Sequence, residues 1–115
     1  MATYDISESK VFSQTEEQVL QAIKGAIAGL EGEIIEARED QKKLKVYFPK
    51  TILGNTLGDR THALVEWEAV DGGTQVSVLA YPVDAVQRKL QFGARKGVTR
   101  KVVTWFWAHV EHRLK

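Results

Sequence analysis

The sequence predicts an α+β domain: a curved five-stranded antiparallel sheet with two helices on one face, in the element order β-α-β-β-β-β-α. Three observations predict it. Two segments, one near each end of the chain, carry apolar residues at helical spacing. Between them, four short runs alternate with the two-residue period of strands and are separated by turn residues. A further alternating run precedes the first helix. At 115 residues the chain is read as a single domain, 1–115, long enough to bury one core without disulfides or metal.

Residues Tyr4 to Phe12 set Tyr4, Ile6 and Phe12 against polar Asp5, Ser7 and Ser9, as in a half-buried strand. Ser13-Gln14-Thr15-Glu16 then reads as a capping box with Ser13 as N-cap, and Glu16 and Glu17 suit the positive end of a helix. In that helix Val19, Leu20, Ile23, Ile27 and Leu30 fall in one arc, and Gly32 is expected as the left-handed C-cap. Ala22, Gly25, Ala26 and Gly29 form a strip of small residues beside the arc, although each interior glycine costs about 1 kcal/mol relative to alanine. Something approaches the strip closely. The sheet or the second helix is the expected neighbour, and a second copy in a homodimer is the alternative.

The four central strands follow. Glu33 to Glu39 is the first, and Asp40-Gln41-Lys42 turns into Lys43 to Phe48, which points Leu44, Val46 and Phe48 one way. Pro49 ends it. Thr61 to Val70 puts Ala63, Val65 and Trp67 on one face, Asp71-Gly72-Gly73 makes a hairpin turn, and Gln75 to Tyr81 directs Val76, Val78 and Ala80 inward. The intervening loop, Lys50 to Arg60, carries Ile52, Leu53 and Leu57 among Gly54, Asn55 and Gly58. It is more apolar than a solvated connection and is expected to fold over the open end of the sheet. After Pro82 a basic stretch, Gln87 to Lys101, runs into a terminal helix from about Gly97 to Leu114, with Val98, Val102, Phe106, Val110 and Leu114 repeating every four residues. The predicted core is Val19, Ile23, Ile27, Leu30, Leu44, Val46, Phe48, Val65, Trp67, Val76, Val78, Val102, Phe106 and Val110.

Several function classes are disfavoured. The apolar run Val102 to Ala108 is far shorter than the roughly 20 residues of a membrane-spanning helix, and the N-terminus lacks the pattern of a signal peptide, so a cytoplasmic location is expected. The absence of cysteine excludes disulfides, thiol nucleophiles and thiolate zinc sites. Gly93-Ala94-Arg95-Lys96-Gly97 lacks the Gly-Lys-Ser/Thr ending of a phosphate-binding loop. His109 and His112 are spaced i, i+3, but no further ligands complete a metal set. His62 could meet Ser77 on a neighbouring strand, and Glu66 and Glu68 share one strand face; neither pair is more than a pair of sheet-surface neighbours. No catalytic residues, metal or cofactor are assigned, and enzyme activity is not expected.

The net charge of +1 conceals a division along the chain: residues 1–40 carry 3 basic and 9 acidic groups, residues 84–115 carry 8 and 2. Arg88, Lys89, Arg95, Lys96, Arg100 and Lys101 fall in fourteen positions with no acid among them. Such a run either docks a polyanion or anionic surface, or pairs with the acidic first third around Glu31, Glu33, Glu36 and Glu39. Trp105 and Trp107 flank the terminal helix's apolar stripe on opposite edges, sealing the core rim or presenting an indole to a ligand.

The strand, helix, four strands, helix order resembles the TATA-box-binding-protein-like folds and compact helix-grip (START-like) proteins. The chain's close, Gly93-Ala94-Arg95 leading into Val98, Val102, Trp105-Phe106 and Leu114, is similar to the way small helix-grip chains end. The resemblance implies architecture and carries over no active-site residues. Two functions stay open. One is a non-catalytic module binding a small apolar or amphipathic ligand, or a protein partner, at a mouth formed by Ile52, Leu53, Leu57, Trp67 and Trp105. The other is an anion or nucleic-acid binder using the stretch 88–101.

Overall fold

The computed structural model describes residues 5–90 and 97–115. Its elements are β1 (Ile6–Phe12), α1 (Glu16–Gly29), β2 (Glu33–Arg38), β3 (Lys43–Phe48), β4 (Thr51–Ile52), β5 (Asn55–Thr56), β6 (Arg60–Val70), β7 (Gly73–Val83) and α2 (Val98–Arg113). Five strands form one antiparallel sheet in the order β1-β7-β6-β3-β2, and both helices pack on one face. This is the predicted architecture, and every residue of the predicted core is buried.

Register sets the inner face in rows across β3, β6 and β7: Phe48, Thr61, Pro82; then Val46, Ala63, Ala80; then Leu44, Val65, Val78; then Trp67 beside Val76. The edge strand β1 adds Glu8 opposite Val78 and Lys10 opposite Val76. Inward-pointing charges on an edge discourage pairing with another chain. Here they also hold α2: Trp107 Nε1 donates to Glu8 Oε1 (2.9 Å), and Lys10 Nζ meets Glu111 Oε2 (2.9 Å).

The ends of α1 differ from expectation. Its N-cap is Thr15, whose hydroxyl accepts from the Gln18 amide while the Gln18 side chain accepts from the Thr15 N–H. The sequence holds two overlapping capping boxes, and tertiary bonds choose between them: the Gln14 carbonyl accepts from Thr74 Oγ1 and its side chain donates to the Leu114 carbonyl, which keeps Gln14 outside the helix. At the other end Glu31, not Gly32, takes the left-handed conformation (φ 60°). Glu31 N–H bonds to the Ala28 carbonyl and Gly32 N–H to the Ile27 carbonyl, a Schellman motif. Gly32 is needed for space instead: a Cβ there would stand 2.8 Å from Phe48.

The small-residue strip receives α2. A Cβ on Gly25 would lie 2.9 Å from the Arg113 side chain, and one on Gly29 3.1 Å from His109. The helices therefore run antiparallel.

Three further departures concern the strands. Residues of β2 are all exposed, because it is the sheet's other edge and is bulged between Ile34 and Glu36. Its strand stops at Arg38, and the turn is a short 3-10 segment, Glu39–Gln41. Strand β7 continues through Pro82 to Val83, beyond the last β1 pair among the described residues, Ile6 opposite Ala80, and the Pro82 carbonyl accepts the Leu90 N–H.

Candidate functional site

The expected apolar loop is a miniature hairpin. Strands β4 and β5 are joined by Leu53 and Gly54, both at positive φ (54° and 79°), the geometry of a type I′ turn. Leucine at such a position costs roughly 1 kcal/mol. A contact outside the hairpin offsets it: the Glu31 carboxylate, on the left-handed residue ending α1, accepts the Leu53 N–H. The hairpin buries Ile52 completely in the core and packs Leu57 against it, while Leu53 stands exposed at the tip.

This hairpin leaves and rejoins the sheet beside the Phe48, Thr61, Pro82 row. Since Arg113 lies on Gly25 and His109 on Gly29, the preceding turn of α2 brings Trp105 level with the end of α1. Its half-buried ring has Lys101 Nζ 5.9 Å from the centroid. The structure thus places Ile52, Leu53 and Leu57 together at this end, with Trp105 on α2 at the level of the end of α1. Trp67 is not among them. It is buried on the inner face six residues along β6 from Thr61, roughly 20 Å away, where it borders a separate groove with Gln41, Glu68 and Gln75.

Sequence reasoning did not single out Thr61. Its side chain is fully buried and its Oγ1 has no hydrogen-bond partner. The other buried hydroxyl at this end, Thr99, belongs to the first turn of α2. Their level follows from the β1 contacts. Trp107 meets Glu8 and Glu111 meets Lys10, so one turn of α2 (about 6 Å over four residues) matches two residues of strand (about 6.7 Å). Two turns before Trp107, Thr99 stands level with the Thr61 row. Thr61's inward position was legible, since it shares the parity of Ala63, Val65 and Trp67.

Of the four described residues of the basic stretch, three meet an acid. Arg100 meets Glu8 (2.5 Å), Lys89 meets Asp5 (2.7 Å) and lies 5.1 Å from the centre of the Tyr81 ring, and Arg88 is 3.6 Å from Asp84. Arg95 and Lys96 lie outside the described residues, as do Tyr4, Phe92 and Gly93. The acidic first third does supply partners, but they are Asp5 and Glu8; of the residues expected, Glu36 pairs with Arg38, Glu39 with Lys24, and Glu31 with the hairpin. Arg100 and the Trp107 N–H hold the Glu8 carboxyl below its usual range.

On the sheet's outer face His62 is buried between Tyr47 and Tyr81, both edge-on, and its Nε2 is 3.0 Å from Gln87 Oε1. Burial lowers its pKa. Ser77 is not near it in register: it pairs with Glu66 and bonds Ser9 Oγ (2.9 Å). Trp107 is core, and His109 is half-buried against Gly29. Among the described residues no three His, Asp or Glu side chains converge as metal ligands, and no helix is long and apolar enough to cross a membrane.

No family model matches the sequence. Nor does it match any curated protein. Solved structures do resemble the fold. A protein from Nitrosospira multiformis aligns at TM-score 0.63 and 11% identity over 96% of both chains. Ara h 8.0201 aligns at 0.58 and 14%, over 96% of this chain and 97% of that one. A protein from Mesorhizobium loti aligns at 0.59 and 15% over 96% of both. The likeness is one of fold alone: a five-stranded antiparallel sheet with two helices on one face.

Proposed function

We propose that the protein is a non-catalytic binding module for a small apolar or amphipathic ligand, taken up between the end of the sheet and α2 beneath the β4–β5 hairpin. One observation carries the reading: a two-turn-residue hairpin whose apolar side chains close the core at this end, yet which is tied to the helix layer through the Glu31 carboxylate and the Leu53 N–H. Opening this cover exposes the Ile52 side chain at a cost of roughly 1.5 to 3 kcal/mol, so the open form is a minor state that a bound apolar ligand would populate. Ile52, Leu57 and Trp105 would then line the opening, with Leu53 at its lip. The helix-grip class is often used for small hydrophobic ligands, which supports the same reading. Trp67 lies too far along the sheet to share this site.

The polyanion reading has less support, because Arg88, Lys89 and Arg100 each have an acidic partner within the chain.

Tryptophan fluorescence tests the proposal. Titration with decanoate, or with toluene as an apolar probe, is expected to give a saturable change from Trp105, reduced when Trp105 is replaced by phenylalanine. No saturable response to either probe would overturn it.

A further inference from the structure

Resting on that reading, we infer that the ligand is amphipathic and that its hydrogen-bond-accepting head group, a carboxylate or carbonyl, is received by the Thr61 hydroxyl, at the level of the first turn of α2. Two independent observations bear on this. The first is Thr61 itself. Of the four buried polar side chains among the described residues, Thr74 donates to the Gln14 carbonyl and His62 bonds Gln87, whereas Thr61 Oγ1 has no partner. Buried hydroxyls are nearly always satisfied, so one without a partner calls for an explanation, and a bound acceptor provides it. Valine would fill the same space without the desolvation cost.

The second observation is the end of α2. Its N-cap is Gly97, in the left-handed conformation (φ 89°), and it supplies no side-chain cap. The first turn contains no acidic residue, and Arg100 there is already paired with Glu8, which leaves Lys101 as the nearby cation. The helix dipole and the Lys101 charge favour negative charge at this end. The match of α2 turns to strand rows puts this turn level with Thr61, and the side chain of Thr99 is buried there as well. The ligand's apolar tail would run along Ile52 and Leu57 toward Trp105, which accounts for an apolar hairpin over a polar spot.

The assignment is tested by Thr61→Val and Thr61→Ser, each titrated with decanoate, which carries the head group, and toluene, which does not. A lost hydrogen bond to a charged acceptor weakens binding by roughly tenfold or more. Thr61→Val is therefore expected to weaken decanoate at least about tenfold, to leave toluene unchanged, and to raise the thermal midpoint of the free protein. Thr61→Ser is expected to restore most of the decanoate affinity. Decanoate affinity within about twofold of the parent in Thr61→Val would overturn the head-group assignment while leaving the binding module standing. Equal loss of both probes would also overturn it, making Thr61 a packing residue. If the parent binds neither probe, the proposed function fails first and this inference with it.

Discussion

At His62 the direction of titration is decided by desolvation. The ring is buried between two tyrosines, and Lys45 adds repulsion, so the neutral form is favoured despite the bond to Gln87. The folded pKa lies below the ordinary 6.5, so the native state binds fewer protons than the unfolded chain. The stability this contributes is present above the unfolded pKa and is lost as the pH falls from there through the folded pKa. The urea midpoint should accordingly drop as the pH falls below the ordinary histidine value of 6.5, before the carboxylates with lowered pKa, Glu8 and Asp84, begin to matter. His62→Phe keeps the ring contacts and should flatten that part of the curve; an unchanged slope would assign it to other groups. The buried state of His62 was not legible in the sequence, because its cover, Gln87, arrives from the connection after β7 and no local pattern announces it. Thr61 illustrates the complementary case: parity showed that it faces inward, but only the assembled core shows that no acceptor reaches it.

Between elements, α2 is held by chemistry of two kinds. Its apolar stripe packs on the sheet, and its flank is fastened to β1 by Glu8 and Lys10. The exposed ion pairs are worth only ~0 to 1 kcal/mol each, so packing dominates. Removing the Phe106 ring should cost about 3 to 5 kcal/mol in denaturant unfolding. By contrast Ile34→Ser, on the exposed edge strand β2, should change stability by less than about 0.5 kcal/mol. Comparable effects at the two sites would contradict the burial pattern. The four-residue repeat of α2 and the alternation of β3, β6 and β7 made these elements readable, since a regular period records which face is covered. Caps were less readable. Ser13 and Thr15 both begin an acceptable capping box, and Gly32 looked like a C-cap, yet contacts from Thr74, Leu114 and Phe48 settled both ends.

For the molecule as a whole, the order of strands makes α2 indispensable. The inner face of the central strands β7 and β6 is covered by both helices, and Val102, Val103, Phe106 and Val110 are buried there. A chain ending before Val98 should lose cooperative unfolding, as followed by near-ultraviolet circular dichroism; a cooperative melt at the parent midpoint would refute this dependence. The amino-acid sequence by itself determined the number and type of the main elements, the side of each that faces the core, and the α+β class, because periodicity and turn chemistry are local records of burial. Tertiary structure alone decided that the 50–60 loop is a hairpin latched by Glu31, that Trp67 lies away from it, and that Arg100 and Lys89 turn to Glu8 and Asp5. Each of these joins residues far apart in the chain, and which of several chemically equivalent partners is chosen depends on the sheet's strand order and register, which no local pattern encodes.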